Sequence, residues 1–205
     1  RALMQRYRDT GYGVGHRVAL LLDNRPEHLL HKLAMNALGI CCVPLNADHR
    51  PREMAYVLQH AKVDLVVVAD ALQALLHSAI AASAHKPQVV RLDAFDTELP
   101  TPRAPALSTT PAADTPASVP YTSGTTGRPK GAMHSHRGLV HAVHGYNTLV
   151  ARHESDECMC FLPLCHIAER LGGEYFSLYT GGKLNFVENP ETVPENVREI
   201  APTAF

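Results

Sequence analysis

The hydrophobic pattern of the first ninety residues alternates between short apolar runs and longer stretches with helical spacing. Arg17-Val18-Ala19-Leu20-Leu21-Leu22 is an apolar run flanked by turn residues, which predicts a buried strand. Asn24 is placed to cap the next helix, with Pro26 near its first turn, and Leu29, Leu33, Ala37 and Leu38 recur at helical spacing until Gly39. Ile40 to Leu45 predicts a second strand, Pro51 to Ala61 a helix, and Leu65 to Val68 a third strand. Asp70 is expected to cap a helix running to about Ala84, and Gln88 to Leu92 predicts a further strand. Strands alternating with helices of this length imply an α/β fold, with a mainly parallel sheet flanked by helices.

A break follows. Pro100, Pro102, Pro105, Pro111, Pro116 and Pro120 punctuate a stretch rich in Ala and Thr, so residues 93–117 are expected to be an extended or disordered connector. The organisation expected is a first α/β segment over 1–92, this connector, and a second α/β segment over 118–205, able to share one sheet. In the second segment, Ser118 to Tyr121 reads as a short strand and Ser135 to Val150 as a helix. Cys158 to Leu162 reads as a strand, Ala168 to Tyr179 as a helix, Lys183 to Val187 as a strand and Pro194 to Ile200 as a last helix.

Between the strand at Tyr121 and the helix at Ser135 lies Tyr121-Thr122-Ser123-Gly124-Thr125-Thr126-Gly127-Arg128-Pro129-Lys130-Gly131. Its glycines let backbone N–H groups crowd one anion, the hydroxyls of Ser123, Thr125 and Thr126 add neutral donors, and Lys130 adds a mobile positive charge. Such a loop suits a polyphosphate, whose several oxygens can be surrounded at once. A Walker A loop would carry Gly-Lys-Ser/Thr leading straight into a helix. Here Lys130 stands between Pro129 and Gly131, so the loop is expected to turn back on itself, with the helix beginning only after Gly131-Ala132-Met133-His134.

On these residues the chain resembles the adenylate-forming superfamily of acyl-CoA synthetases, luciferases and peptide-synthetase adenylation domains. Arg17 to Asn24, Gly39 to Asn46 and Phe161-Leu162-Pro163-Leu164-Cys165-His166 extend the resemblance over nearly the whole chain. The fold it implies is part of the large N-terminal AMP-binding domain. Leu162 to Arg170, with Glu169-Arg170 after the His segment, is similar to long-chain fatty acyl-CoA synthetases. The resemblance implies ATP, Mg²⁺ and coenzyme A as reactants, with a fatty acid or other carboxylate as substrate. It implies that Ser123, Gly124, Thr125, Thr126 and Gly127 hold the β- and γ-phosphates, that Thr122 helps place Mg²⁺, and that Lys130 supports the loop or touches phosphate. His166 would orient the carboxylate near the α-phosphate. An adenylating ligase for an aryl or amino acid, and a truncated nucleotide-binding homologue without catalysis, remain alternatives. The family's Tyr-Gly-x-Thr-Glu segment, ribose-binding Asp, hinge and catalytic C-terminal Lys are not among these residues. The chain is therefore read as part of a longer enzyme, inactive alone.

Composition adds bounds. A net charge of −1 gives no electrostatic footprint for nucleic acid, and no apolar stretch approaches the roughly 20 residues of a membrane span. Cys41, Cys42, Cys158, Cys160 and Cys165, odd in number and irregular in spacing, suit reduced thiols in a cytoplasmic setting, with peripheral membrane contact left open and oligomeric state unreadable. Cys158, Cys160, Cys165 and His166 lack a second ligand pair at zinc spacing, and His134, His136, His141 and His144 read as a His-rich helix surface. Gly11 to Gly15 precedes its strand, so it reads as a turn and not a dinucleotide loop. Glu169 and Arg170 read equally well as an ordinary ion pair at a helix start, worth little by itself.

Overall fold

The computed structural model describes residues 1–122 and 128–204. Helix α1 (Ala2–Thr10) is followed by β1 (Arg17–Leu21), α2 (Pro26–Ala37), β2 (Cys41–Pro44), α3 (Pro51–His60) and β3 (Leu65–Val68). Then come α4 (Gln73–Ala82), β4 (Gln88–Arg91), the single turn α5 (Phe95–Glu98) and β5 (Pro116–Ser118). A hairpin of β6 (Tyr121–Thr122) and β7 (Lys130–Gly131) leads to β8 (His134–Ser135) and α6 (His136–Leu149). Strand β9 (Glu157–Cys160), a π-helical segment (Glu169–Tyr175), α7 (Phe176–Thr180), β10 (Lys183–Phe186) and α8 (Val193–Ile200) complete the order.

The main sheet runs β4-β3-β1-β2-β5-β8, with β8 antiparallel to β5 and every other neighbour parallel. This is an α/β fold with a mainly parallel sheet flanked by helices. Successive strand residues point to opposite faces. Val18, Leu20, Cys42, Leu65 and Val67 therefore pack with Tyr7, Met35 and Phe95 of α1, α2 and α5, and with Leu38 just past α2. Ala19, Leu21, Val43, Val66 and Val68 pack with Met54, Val57, Leu58 and Leu76 of α3 and α4. Both faces are covered, which is why these strands read as unbroken apolar runs. Strands β9 and β10 pair in parallel as a separate two-stranded sheet.

Several expectations are corrected. Asn24 does not cap α2; its N-cap is Arg25, which makes no side-chain cap hydrogen bond. Asp70 lies inside a 3-10 turn (Asp70–Leu72) and accepts from the Gln73 side chain at 2.5 Å instead of capping α4. Residues 93–117 are neither purely extended nor loose. Phe95–Glu98 forms one helical turn ahead of the first proline, Pro100 to Ser108 are tied onto the first segment, and Ala113 to Pro116 onto β8 and the start of α6. Tyr12 donates its hydroxyl to the Pro100 carbonyl at 3.0 Å, and Val14 exchanges backbone bonds with Leu107 and Ser108. The expected strand Ser118–Tyr121 is split: β5 ends at Ser118 and β6 starts at Tyr121, in different sheets. The expected helix Ala168–Tyr179 is π-helical over its first part.

Candidate active site

Thr122 and Lys130 face each other across the antiparallel hairpin, with Tyr121 paired to Gly131, so the chain does double back between them. Ser123, Gly124, Thr125, Thr126 and Gly127, the residues expected to hold phosphate, lie outside the described residues. Thr122 and Lys130 are both exposed at the hairpin's neck. The neck is held by α3. The Tyr121 hydroxyl and His60 Nδ1 share a hydrogen bond of 2.7 Å, and the His60 ring stacks on Tyr56 with centroids 5.2 Å apart. On the other limb, the Arg128 guanidinium stands 5.6 Å from the Tyr56 ring centre, within cation–π range. Tyr121 ahead of the Ser123 to Gly127 motif and Arg128 just after it thus rest on one aromatic stack. Burial pushes the Tyr121 phenol up to about 12. Gly131 lies under this ring: a Cβ there would come within 2.9 Å of Val119 Cγ1 and 3.0 Å of Tyr121 Cζ. Only glycine lets β7 lie this close.

His166 sits elsewhere, exposed in the turn that follows β9, where its N–H donates to the Pro163 carbonyl at 2.9 Å. The turn borders a crevice of about 320 Å³ formed by the loops leaving the carboxyl ends of β1, β2, β9 and β10. It lies outside the carboxyl ends of the strands, the side of an open α/β sheet on which ligands bind. Among the described residues, no hydrogen bond or ion pair joins His166 to Thr122 or Lys130. Lys130 instead lines a separate hollow of about 490 Å³ with Tyr56, His60 and Arg128. Burial lowers the pKa of His49, with Glu53 and Asp48 opposing and the nearby His166 adding to the fall.

The turn carrying His166 is fixed from both sides by groups whose roles the sequence did not disclose. The Asn24 carboxamide donates through Nδ2 to the Leu162 carbonyl at 2.6 Å and accepts through Oδ1 from the Leu164 N–H at 3.0 Å. Glu169 Oε2 accepts from the N–H groups of Phe161 at 3.3 Å and Leu162 at 3.0 Å. Burial raises the Glu169 pKa, against the pull of the Leu162 and Phe161 N–H groups. Gly173 makes room for this carboxylate, because a Cβ there would collide with Oε1.

Glu169 and Arg170 are not an exposed helix-start pair; both are buried, and they turn to different partners. Arg170 donates through Nη1 to Ser118 Oγ at 2.7 Å and through Nη2 to the Tyr175 hydroxyl at 3.2 Å, and its Nε lies 4.0 Å from Glu174. Glu174 also pairs with Lys32 of α2, whose Nζ lies 3.6 Å from the centre of the Tyr175 ring. Burial pulls Lys32 down to about 8, with the charge of Glu174 opposing. Lys32, Arg170 and Glu174 are each fully enclosed, so this cluster fastens α2, β5 and the π-helical segment to one another.

All five cysteines are free and buried. Among the described residues, no group of three or more His, Cys, Asp or Glu is placed to hold a metal ion, and no helix is long and apolar enough to cross a membrane. Thr122 offers one neutral hydroxyl. Such a donor suits a magnesium ion that arrives with nucleotide phosphates, because Mg²⁺ keeps most of its own waters and binds chiefly through the substrate.

A mainly parallel sheet with a crevice at its strand ends, and a separate β6–β7 hairpin, defines an α/β domain of the doubly wound kind. The family model described as AMP-binding enzyme matches residues 5–205, and the chain belongs to that family. It is 28% identical over 216 residues to long chain acyl-CoA synthetase 6, peroxisomal, of Arabidopsis thaliana, covering 95% of this chain and 30% of that protein. It is 32% identical over 184 residues to the 3-hydroxybenzoate/4-hydroxybenzoate–CoA ligase of Thauera aromatica, covering 85% of this chain and 30% of that one. Among solved structures, ATP-bound MatB from Rhodopseudomonas palustris superimposes with a TM-score of 0.79 at 25% identity, over 98% of this chain and 40% of that one. The chain thus spans about a third of the length of the curated relatives it matches.

Proposed function

We propose that this chain, within its full-length protein, supplies the phosphate-gripping part of an enzyme that activates a carboxylic acid as its acyl-AMP and passes the acyl group to coenzyme A. The observation that supports this best is the hairpin whose two limbs, Tyr121–Thr122 and Lys130–Gly131, present the Gly/Ser/Thr sequence from a neck anchored on α3. In the first step a carboxylate oxygen attacks the α-phosphorus of ATP, and the bond to the bridging oxygen breaks to release pyrophosphate. In the second, the coenzyme A thiolate attacks the acyl carbon and AMP leaves.

The difficulty in the first step is that one anion must approach another. Backbone N–H groups and hydroxyls of Ser123 to Gly127 would hold the β- and γ-phosphates and meet the charge gathering on the leaving pyrophosphate. Lys130, exposed at the loop's exit, adds a positive charge on the same side. Thr122, its cross-strand partner, would face the magnesium ion carried by the nucleotide. His166, at the crevice edge, would orient the carboxylate.

The acid is read as a long-chain fatty acid, from Leu162 to Arg170 and the similarity to the Arabidopsis synthetase. An aryl acid is the second reading, favoured by the similarity to the Thauera ligase. ATP–pyrophosphate exchange on the full-length protein separates them. Exchange with palmitate and not 3-hydroxybenzoate supports the first reading, and the reverse supports the second. Exchange with no acid would overturn adenylation.

A further inference from the structure

We propose that Asn24 is a positioning residue that holds the His166 turn against the end of β1 and so sets the carboxylate side of the crevice; this rests on the adenylation reading above. Asn24 lies just beyond β1, in the first α/β segment, whereas the turn follows β9 in a different sheet. No backbone ladder joins those two strands, and the carboxamide stands in for one. An amide side chain carries the same donor and acceptor as a peptide unit. Here it meets the Leu162 carbonyl and the Leu164 N–H, as a neighbouring strand would.

Glu169 supplies the complementary hold from the π-helical segment, taking the N–H groups of Phe161 and Leu162. Successive backbone groups of the turn are thereby gripped from opposite sides, leaving His166 only the freedom of its own side chain. The choice of residue follows. Aspartate would keep the acceptor for Leu164 but place a negative oxygen against the Leu162 carbonyl, and alanine would remove both bonds. A helix cap at this position could be Ser, Thr or Asp equally well. A two-way bridge needs the carboxamide.

The test is hydrogen exchange together with steady-state kinetics on the full-length protein, comparing wild type, Asn24→Ala and Asn24→Asp. Asn24 is only half-buried, so the fold is expected to survive. In Asn24→Ala the Leu164 amide should exchange about tenfold faster or more, with the amides of β1 and β3 unchanged. The KM for the carboxylate should rise roughly tenfold while the KM for ATP stays within about twofold, the pattern of a misplaced acid site. Asn24→Asp should retain Leu164 protection yet share the carboxylate defect. An unchanged Leu164 amide in Asn24→Ala would overturn the clamp. Faster exchange with unaltered carboxylate kinetics would overturn the positioning role. If wild type shows no exchange with any acid, the adenylation reading falls and takes the carboxylate role with it, while the Leu164 amide still decides the clamp.

Discussion

Arg170 Nη1 donates to Ser118 Oγ over 2.7 Å inside the protein, tying the last residue of β5 to the π-helical segment that follows His166. The bond connects the strand ahead of the β6–β7 hairpin with the segment that leaves the crevice turn. Its cost is a guanidinium with almost no solvent contact, which Glu174 and the Tyr175 hydroxyl compensate. Arg170, Glu174 and Ser118 are thereby held in one buried cluster between β5 and the π-helical segment.

Glu174 faces two buried cations, Lys32 and Arg170, and is the keystone of that cluster. Glu174→Gln leaves both cations without a counter-charge and should lower stability by about 3–5 kcal/mol, the loss typical of breaking a buried pair. Lys32→Met removes one cation and leaves Glu174 with Arg170, so its loss should be smaller. Urea unfolding of the two variants gives the comparison.

The neck of the hairpin makes a second expectation. Tyr121→Phe removes the 2.7 Å bond to His60 and should cost about 1 kcal/mol, with the ring still packed. Gly131→Ala forces the Tyr121 ring and Val119 apart and should cost more, on the order of 1–3 kcal/mol. Thermal unfolding of both variants checks the order, which would reverse if the hydroxyl bond, not the close approach, held the hairpin.

Acid sensitivity is expected at α2. Burial depresses the pKa of His31 to about 4, with Asp96 and Glu27 opposing, and burial also pushes His28 well below its ordinary value. The unfolded chain binds protons on these imidazoles below about pH 6.5, whereas the folded chain does not until about pH 4 at His31. The unfolded state then holds more protons, so stability falls as pH drops through that window, by up to about 3 kcal/mol for His31 alone. His31→Gln should flatten the pH dependence of Tm between 6.5 and 4. An unaltered slope would show that His31 titrates normally.

Sequence patterns locate β1, β2 and β3 well because those strands are buried on both faces, whereas the two-residue, half-buried β8 leaves no such pattern. Leu65 to Val68 is an apolar run with no other use, and it forms β3 to the residue. Asn24 was misread for a different reason. The local pattern of Asn shortly before Pro26 signals a cap, but its partners lie 138 and 140 residues away, a relation no local rule contains. The burial of Glu169 and Arg170 is not legible either, because an i→i+5 turn points their side chains where a regular helix would not. Gly172-Gly173 was the available signal, as two helix-weakening residues in a segment otherwise assigned to helix. Of the expected site residues, Thr122 and Lys130 come together across the hairpin and His166 stands apart at the crevice. Ser123 to Gly127 are known only as a motif.

The central claim is that the loop between Thr122 and Lys130 stabilises the leaving pyrophosphate, and carboxylate-dependent ATP–pyrophosphate exchange in Thr126→Ala and Lys130→Ala measures it most directly. Losing one such donor typically costs about 2.7–4 kcal/mol, so exchange in each full-length variant should fall by about 10²–10³ with Tm unchanged. Exchange at the wild-type rate in both would contradict the account.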